Sequence, residues 1–224
     1  SFYNDIGVDV TVVEMLDRVV PVEDEEISKF LEKSLKKQGM TIMTGAGVKS
    51  IDVSDKGVKA VIEDSKGKKD SHDFSHVIVA VGIMPNIETI GLDQLGVEPD
   101  KRFHIKTDDH CRTNVDGIYA IGDCTGGPWL AHKASHEGVI AVEAIAQSMG
   151  KDGHPHAMDV NNIPGCTYCH PQIASVGLTE AKAKEAGHDV KVGKFPFIGN
   201  GKAIALGETE GFIKTVFDAK TGEL

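Results

Sequence analysis

The chain of 224 residues has 34 acidic and 24 basic side chains, which give a formal net charge of −10 with the histidines neutral. An acidic chain without any run of lysines and arginines is not typical of a nucleic-acid-binding protein. Its hydrophobic content of 40% fits a globular protein, and no stretch approaches the roughly 20 apolar residues of a membrane-spanning helix. We therefore predict that neither nucleic acid nor a membrane is a partner.

Apolar strands and one amphipathic helix make up the first third. The β-branched run VDVTVVE, from Val8 to Glu14, predicts a buried strand. VEDEEISKFLEKSLKKQG predicts a helix with acids at its start and lysines at its end, as the helix dipole prefers. Further strands are predicted in MTIM, in the antiparallel pair VKSIDV and GVKAVIED, and in HVIVAVG from His76 to Gly82. This order indicates an α/β fold with a parallel sheet and a hairpin insertion.

The rest of the chain changes character twice, and domain boundaries are predicted near residues 83–86 and 154–162. The middle third contains GIYAIGD, a predicted strand that ends at Asp123, and the predicted helix SHEGVIAVEAIAQSMG. The last third contains the short strands IASVG, DVKVGKFPF and GFIKTVFD. It also has one helix, TEAKAKEAG, with Thr179 as its N-cap.

The number of cysteines and the first residues of the chain indicate in which cellular compartment the protein is located. The cysteines are too few and too unevenly placed for a disulfide scaffold. The opening SFYNDIG has neither the basic start nor the apolar core of a signal peptide. Both features indicate the cytoplasm or the mitochondrial matrix. Because SFYNDIG is typical of the last turn of a helix, which Gly7 ends, we also expect a fragment of a longer protein. A tight natural boundary is the alternative.

Three residues at the ends of predicted strands are candidate ligand contacts. In dinucleotide-binding folds an acid such as Glu14 binds the ribose hydroxyls and repels a 2′-phosphate, which favours NAD over NADP. A glycine such as Gly82 lets a ligand approach the backbone. Asp123 could bind a chain of sugar-like hydroxyls or cap the next helix. Taken alone, Glu14 and Gly82 fit a solvated acid at a strand end and an ordinary turn better than a ligand contact.

The segment CTYCH, from Cys166 to His170, fits the pattern of c-type haem attachment and half of a zinc site. No second pair of ligands with suitable spacing completes a zinc site. Pro164 and Pro171 bracket the segment and favour an extended chain, in which the two sulfurs would diverge. We therefore predict no metal, no haem and no catalytic disulfide there.

Taken together, the motifs are more specific. TNVDGIYAIGDCTGGPWLAHKASHEG resembles the second flavin-binding motif of the pyridine nucleotide-disulfide oxidoreductases, and LAHKA is the form of the dihydrolipoamide dehydrogenase branch. HPQIASVGLTEAKAKEAG and FPFIGNGKAIALGETEGFIK resemble the start of that branch's dimerisation domain. The resemblance, which covers essentially the whole chain, implies an NAD site lined by Glu14, Val48 and Gly82. It also implies an FAD site lined by Asp123, which would bind the ribityl chain, and by Trp129, Leu130, Ala131 and His132.

The resemblance also implies a division of the α/β chain into three parts. Residues 1–82 would be the remainder of a Rossmann-like NAD-binding domain, residues 83–155 a central FAD-contacting segment, and residues 156–224 the first part of an α+β dimerisation domain. Two local departures are Ile83 and Met84, which replace a basic pair, and Trp129, which replaces a methionine.

The complete enzymes of this branch pass electrons from dihydrolipoamide through a disulfide and FAD to NAD. Their partners are the dihydrolipoyl groups of 2-oxoacid dehydrogenase complexes and a second copy of the enzyme. The family's disulfide and catalytic His-Glu pair match no residues here, so we assign no catalytic residue and expect this chain alone to be inactive. The alternatives are a flavoenzyme of the mercuric or glutathione reductase type and a non-enzymatic redox or haem module built on CTYCH. LAHKA and Glu14 favour the first interpretation over a sister flavoenzyme.

Overall fold

The computed structural model describes all residues from 1 to 224, and they form two compact units. The first unit contains Ser1–Ile78 and Pro164–Leu224, and the second contains Val79–Ile163. The first and last thirds of the chain therefore share one unit. The three-part division that the sequence suggests stays a prediction.

Helices and strands are distributed over the whole chain, and none of the helices is both long and apolar enough to cross a membrane. The helices are α1 (Phe2–Asp5), α2 (Glu25–Lys37), α3 (Leu92–Leu95), α4 (Ala131–Ser148), α5 (Glu180–Glu185) and α6 (Gly201–Leu206). The strands are β1 (Thr11–Glu14), β2 (Thr41–Thr44), β3 (Gly47–Ser54), β4 (Gly57–Glu63), β5 (Lys69–Phe74), β6 (Gly165–Thr167), β7 (Ile173–Ser175), β8 (Val190–Pro196) and β9 (Phe212–Asp218). Short 3-10 helices occupy Gly122–Thr125, Val160–Asn162 and Phe197–Gly199.

The β1–α2–β2 segment begins the first unit. β1 and β2 pair in parallel, from Thr11 opposite Thr41 to Glu14 opposite Thr44. A parallel pair needs a crossover connection, and α2 supplies it. The helix begins where the Asp24 carboxylate accepts a hydrogen bond from the backbone N–H of Glu26 at 3.0 Å. This arrangement confirms the predicted α/β fold with a parallel pair.

The core of this unit forms under one face of α2. Leu31 and Leu35 pack with Val19 and Met40, and all four are buried. Ile27 and Phe30, on the same helix, are half-buried. Two serines complete the buried face instead: Ser28 and Ser34 are 0% and 2% exposed. Each is hydrogen-bonded, which removes the cost of burying a hydroxyl group.

The remaining strands of the first unit pair only in antiparallel fashion. β3, β4 and β5 form a three-stranded sheet, and β6 pairs with β7 and β8 with β9. The hairpin of β3 and β4 is as predicted. β5 was not predicted, because its sequence KDSHDF is polar and follows a turn. Its pairing with β4, from Val58 opposite Phe74 to Glu63 opposite Lys69, decides its structure.

Two predicted strands are wrong. HVIVAVG is not a strand, and its side chains are exposed, from 38% at Val77 to 92% at Val81. GIYAIGD has only an isolated bridge between Tyr119 and Arg112, and the chain then enters the turn at Gly122. A strand exists only where a neighbour completes its hydrogen bonds, and no other segment of the chain pairs along either stretch. Their apolar sequences are therefore not sufficient to make them strands.

A buried lysine joins three elements of the first unit. The side chain of Lys214 on β9 is 8% exposed, and its Nζ lies 2.9 Å from Asp24 Oδ1 and 2.7 Å from Glu180 Oε2. Glu26 is the third carboxylate, at 3.5 Å. Asp24 caps α2 and Glu180 begins α5, so one cation binds the starts of two helices to one strand.

Two of the carboxylates around Lys214, those of Asp24 and Glu180, have a lowered pKa. Hydrogen bonds from Lys184 and Lys214 lower the pKa of Glu180 from 4.5 to about 2. Burial raises the pKa of Asp24, but the hydrogen bond from Lys214 and those from backbone N–H groups outweigh it, so the net shift is downward. The ion cluster is therefore fully charged at neutral pH.

We expect Lys214→Met to lower the free energy of unfolding by about 2 kcal/mol, because it leaves Asp24 without its buried counter-ion. Lys194 is the matched control: it also pairs with Glu26, at 2.6 Å, but its side chain is 49% exposed. Lys194→Met should cost less than about 1 kcal/mol. Urea unfolding at pH 7 measures both, and equal costs would contradict the role given to Lys214.

The cost of Lys214→Met should shrink as the pH falls from about 4.5 to 2. Groups with a lowered pKa in the folded state contribute stability above their unfolded pKa, and this contribution is lost as they become protonated. Glu180 and Asp24 both have a lowered pKa. Unfolding of the unmutated chain and of Lys214→Met at pH 7, 4.5 and 3 tests this. If the difference in the free energy of unfolding between the two proteins does not change with pH, the Asp24 and Glu180 carboxylates do not contribute to the effect of Lys214.

Candidate functional site

Glu14 ends β1 at the carboxyl edge of the parallel pair. Its Oε1 accepts a hydrogen bond from the backbone N–H of Leu16 at 2.8 Å, and its carbonyl accepts one from Ala46 at 3.0 Å. Oε2 has no partner in the chain. One carboxylate oxygen therefore holds the local turn, while the other is available to a ligand hydroxyl.

Val48 lies near Glu14, whereas Gly82 belongs to the other unit. Val48 is two residues after Ala46, on β3, where it pairs with Ile62 and is 45% exposed. Gly82 has a φ of 118°, a conformation that a side chain would strain. The open space around it leaves the backbone accessible, with no atom within 4 Å of an added Cβ. Two of the three predicted NAD contacts therefore lie in the same unit.

Asp123 lies on a tight 3-10 turn, Gly122–Thr125, in the second unit. Its carboxylate is exposed and has no protein partner. Gly122 is buried with a φ of 78°, and a Cβ atom there would stand 3.3 Å from the Cβ of Ala134. A side chain at this position would strain the backbone and crowd Ala134, so the conformation of the residue before Asp123 favours glycine.

The other predicted flavin contacts follow directly after this turn. Leu130 has an extended backbone and precedes α4, which begins at Ala131. Ala131 and His132 are exposed at the start of this helix, and Trp129 is 45% exposed. The first backbone N–H groups of a helix favour negatively charged or polar ligands. The free carboxylate of Asp123 and the start of α4 thus lie in one short segment.

Sequence analysis missed His104, a buried residue whose ring lies near Trp129 of this segment. Its ring is 8% exposed and lies 6.2 Å from the ring of Trp129, measured between centroids. Asp100 accepts a hydrogen bond from the backbone N–H of His104 at 2.9 Å, and this bond is the main reason that the pKa of Asp100 is lowered. Nε2 of His104 is buried without a partner. No motif in the sequence pointed to this residue.

Sequence analysis also missed a buried ion pair within the LAHKASHEG motif. Lys133 Nζ lies 2.7 Å from Glu137 Oε1, and the side chains are 8% and 15% exposed. Glu137 Oε2 accepts a hydrogen bond from the backbone N–H of Gly122 at 2.7 Å. The spacing of four residues was the available signal, but it is equally common on exposed helix surfaces.

The cysteines of CTYCH lie in the first unit and do not share one straight strand. Cys166 lies on β6 and is exposed, whereas Cys169 follows a bend and packs against the core of that unit. The expected extended segment is therefore wrong beyond Thr167, because the N–H of Cys169 turns back to the Thr167 carbonyl at 3.1 Å. The absence of metal, haem and a catalytic disulfide stays a prediction.

Comparison with known proteins gives the same family over almost the whole chain. The family model described as pyridine nucleotide-disulphide oxidoreductase matches residues 1–138, and the model of its dimerisation domain matches residues 163–224. The dihydrolipoyl dehydrogenases of Zymomonas mobilis and Rhizobium etli are 53% and 52% identical to it and cover 100% of this chain. They are matched over 47% and 46% of their own length, so the chain spans about half the length of these curated relatives.

Solved structures agree with these matches. LpdA from Mycobacterium tuberculosis superimposes on 98% of the chain with a TM-score of 0.84 and 28% identity, over 46% of its own chain. The flavoprotein disulfide reductase RclA from Escherichia coli shares the fold, with a TM-score of 0.84 at 24% identity, over 98% of this chain and 48% of its own. The resemblance predicted from the flavin motif is thus confirmed, and this chain belongs to the pyridine nucleotide-disulphide oxidoreductase family.

Proposed function

We propose that this chain forms the NAD-facing part and a portion of the FAD-facing part of a dihydrolipoyl dehydrogenase. The observation that carries the proposal is the exposed, unpartnered carboxylate of Asp123 on a turn packed against α4. The identity of 53% with a dihydrolipoyl dehydrogenase over the full chain supports the choice of enzyme within the family.

The residues present fit a flavin. Asp123 offers an acceptor for ribityl hydroxyls, and the start of α4, with Trp129 to His132, offers backbone donors and a partly exposed aromatic ring. When bound, FAD would carry two electrons between a dithiol and NAD. The role of this chain would be to hold the cofactor, because a carboxylate accepts hydrogen bonds from several hydroxyls and fixes their orientation.

The residues also fit the adenosine ribose of NAD. Glu14 keeps one carboxylate oxygen free at the carboxyl edge of the parallel strands, where ligands bind in α/β sheets. Val48, on β3 of the same unit, would supply an apolar contact. A 2′-phosphate beside Glu14 would meet a like charge, which explains a preference for NAD.

Three of the four cysteines of the chain are poorly suited to the thiol chemistry of the enzyme. Burial raises the pKa of the Cys111, Cys124 and Cys169 thiols, whereas the nucleophile in such chemistry is a thiolate. We therefore assign no catalytic residue here and expect no lipoamide-dependent NADH formation by the 224 residues alone.

The proposal extends to partners and location. Residues 1–82, 83–155 and 156–224 would serve NAD binding, flavin contact and dimerisation. The partners would be a second copy of the enzyme and the dihydrolipoyl groups of 2-oxoacid dehydrogenase complexes, in the cytoplasm or the mitochondrial matrix. Neither nucleic acid nor a membrane is proposed as a partner.

The proposal is tested with protein expressed from the complete coding sequence that contains these residues. A flavin absorption spectrum, together with reduction of NAD by dihydrolipoamide, is the expected result. Oxidation of NADPH with glutathione disulfide or mercuric ion instead would assign the chain to a sister flavoenzyme. An absence of flavin would contradict the proposed function altogether.

Asp123→Ala should weaken FAD binding in that protein about 10- to 150-fold, because charge-assisted hydrogen bonds worth about 1.5–3 kcal/mol are lost. Asp109, an exposed acid of the same unit, provides the control Asp109→Ala, which should leave FAD affinity unchanged. Titration of the flavin-free protein with FAD measures both. Equal flavin affinity in all three proteins would remove Asp123 from the site.

Glu14→Ala should raise the KM for NAD and narrow the preference for NAD over NADP. The substitution removes both the ribose hydrogen bonds and the repulsion of the 2′-phosphate. Asp9→Ala, an exposed acid just before β1, is the matched control. Steady-state kinetics with both cofactors give the result, and equal use of NAD and NADP by the unmutated enzyme would refute the role of Glu14.

A further inference from the structure

In the ion pair of Lys133 and Glu137, the order of the two charges along the helix is the reverse of the order that stabilises a helix. On helices the better order places glutamate before lysine, and cations are unfavourable in the first turn. Lys133 lies in the first turn of α4 and precedes Glu137. The three other lysine–glutamate pairs with this spacing all place glutamate first: Glu25–Lys29, Glu32–Lys36 and Glu180–Lys184.

The pair is also less exposed than the other three pairs. Its side chains are 8% and 15% exposed, compared with 70% and 62% for Lys29 and Glu25. Taking two charges out of water is costly unless further hydrogen bonds satisfy them. The position and burial of the pair therefore need an explanation other than helix stability.

The remaining contacts of the pair supply that explanation, because they reach the turn that carries Asp123. Glu137 Oε2 accepts from the N–H of Gly122 at 2.7 Å, on one side of Asp123. Lys133 Nζ donates to the carbonyl of Gly126 at 3.3 Å and to Thr125 Oγ1 at 3.5 Å, on the other side. Thr125 Oγ1 in turn donates to the carbonyl of Gly122 at 2.8 Å and closes the turn.

We propose that Lys133 and Glu137 are positioning residues for the flavin site, which hold the backbone on both sides of Asp123. The Asp123 side chain has no protein partner of its own, so only the turn beneath it can set its direction. The pair thus fixes in advance the carboxylate that receives the ribityl hydroxyls. This inference rests on the proposed flavin function and deepens it.

The test compares FAD affinity among charge variants of protein expressed from the complete coding sequence. Lys133→Met and Glu137→Gln each leave one buried charge unpaired, and each should weaken FAD binding about tenfold or more. The double variant leaves no buried charge, and the glutamine carbonyl still accepts from Gly122. It still lacks the donor to Gly126 and Thr125 and should therefore recover only in part. Full recovery to the affinity of the unmutated protein would overturn the proposal, because the cost of an unpaired buried charge would then explain both single variants. Lys29→Met is the control and should change nothing, because that pair is exposed.

A cycle with Asp123→Ala separates positioning from general stability. If the pair acts through Asp123, adding Lys133→Met to Asp123→Ala should weaken FAD binding by less than about twofold. If the fold-changes in FAD affinity caused by Lys133→Met and Asp123→Ala multiply in the double variant, the proposal is overturned and the pair has only a structural role. Unchanged FAD affinity in Lys133→Met would overturn it as well.

Thr125 provides a test that does not depend on burying an unpaired charge. Thr125→Val removes the hydroxyl that closes the turn and should weaken FAD binding, whereas Thr125→Ser keeps it and should restore the affinity. Equal affinities in the two variants would overturn the proposal, even where Lys133→Met fails to fold. An unmutated protein that binds no FAD would instead refute the proposed function, so the two failures can be told apart.

Discussion

A lysine buried among carboxylates is the interaction on which each unit of this protein depends. In the first unit Lys214 binds Asp24 and Glu180, which come from parts of the chain more than 150 residues apart. In the second unit Lys133 binds Glu137 and the turn before α4. Such pairs specify geometry more than they add net stability, because desolvation offsets much of their attraction. Removing one partner is nevertheless costly, so each lysine fixes the segments around it.

Five acidic side chains discussed above form two groups, which differ in whether a lysine neutralises them. Asp24, Glu180 and Glu137 are neutralised by lysines and hold elements together. Asp123 and Glu14 keep carboxylate oxygens without protein partners, at a tight turn and at a strand end. Gly122, which has a positive φ and packs against α4, fixes the backbone just before Asp123 at a cost in conformational entropy. This constraint favours a binding role for the Asp123 carboxylate. The proposed cofactor contacts come entirely from the second group.

In the proposed flavin segment, exposed groups are held in place by a layer of buried residues. Asp123 and the start of α4 are exposed, but the residues beneath them are buried: Gly122, Lys133 and His104. Packing and hydrogen bonds in this lower layer determine the backbone, and the backbone determines where the exposed groups stand. The positions of the proposed binding groups therefore depend on the buried residues beneath them.

The sequence by itself determined the features that depend on neighbouring residues. A group of acids precedes α2, Thr179 marks the start of α5, and the motif around Asp123 identifies the family. Only the tertiary structure decided what depends on distant partners. The apolar stretch from Val77 to Val81 is not a strand, because no segment pairs with it, while the polar β5 is one, because β4 does. Lys133, Glu137 and His104 carried no distinctive local pattern, since a buried pair and a surface pair have the same spacing in sequence. What separates them is burial and the direction of their hydrogen bonds, which arise only when the chain folds.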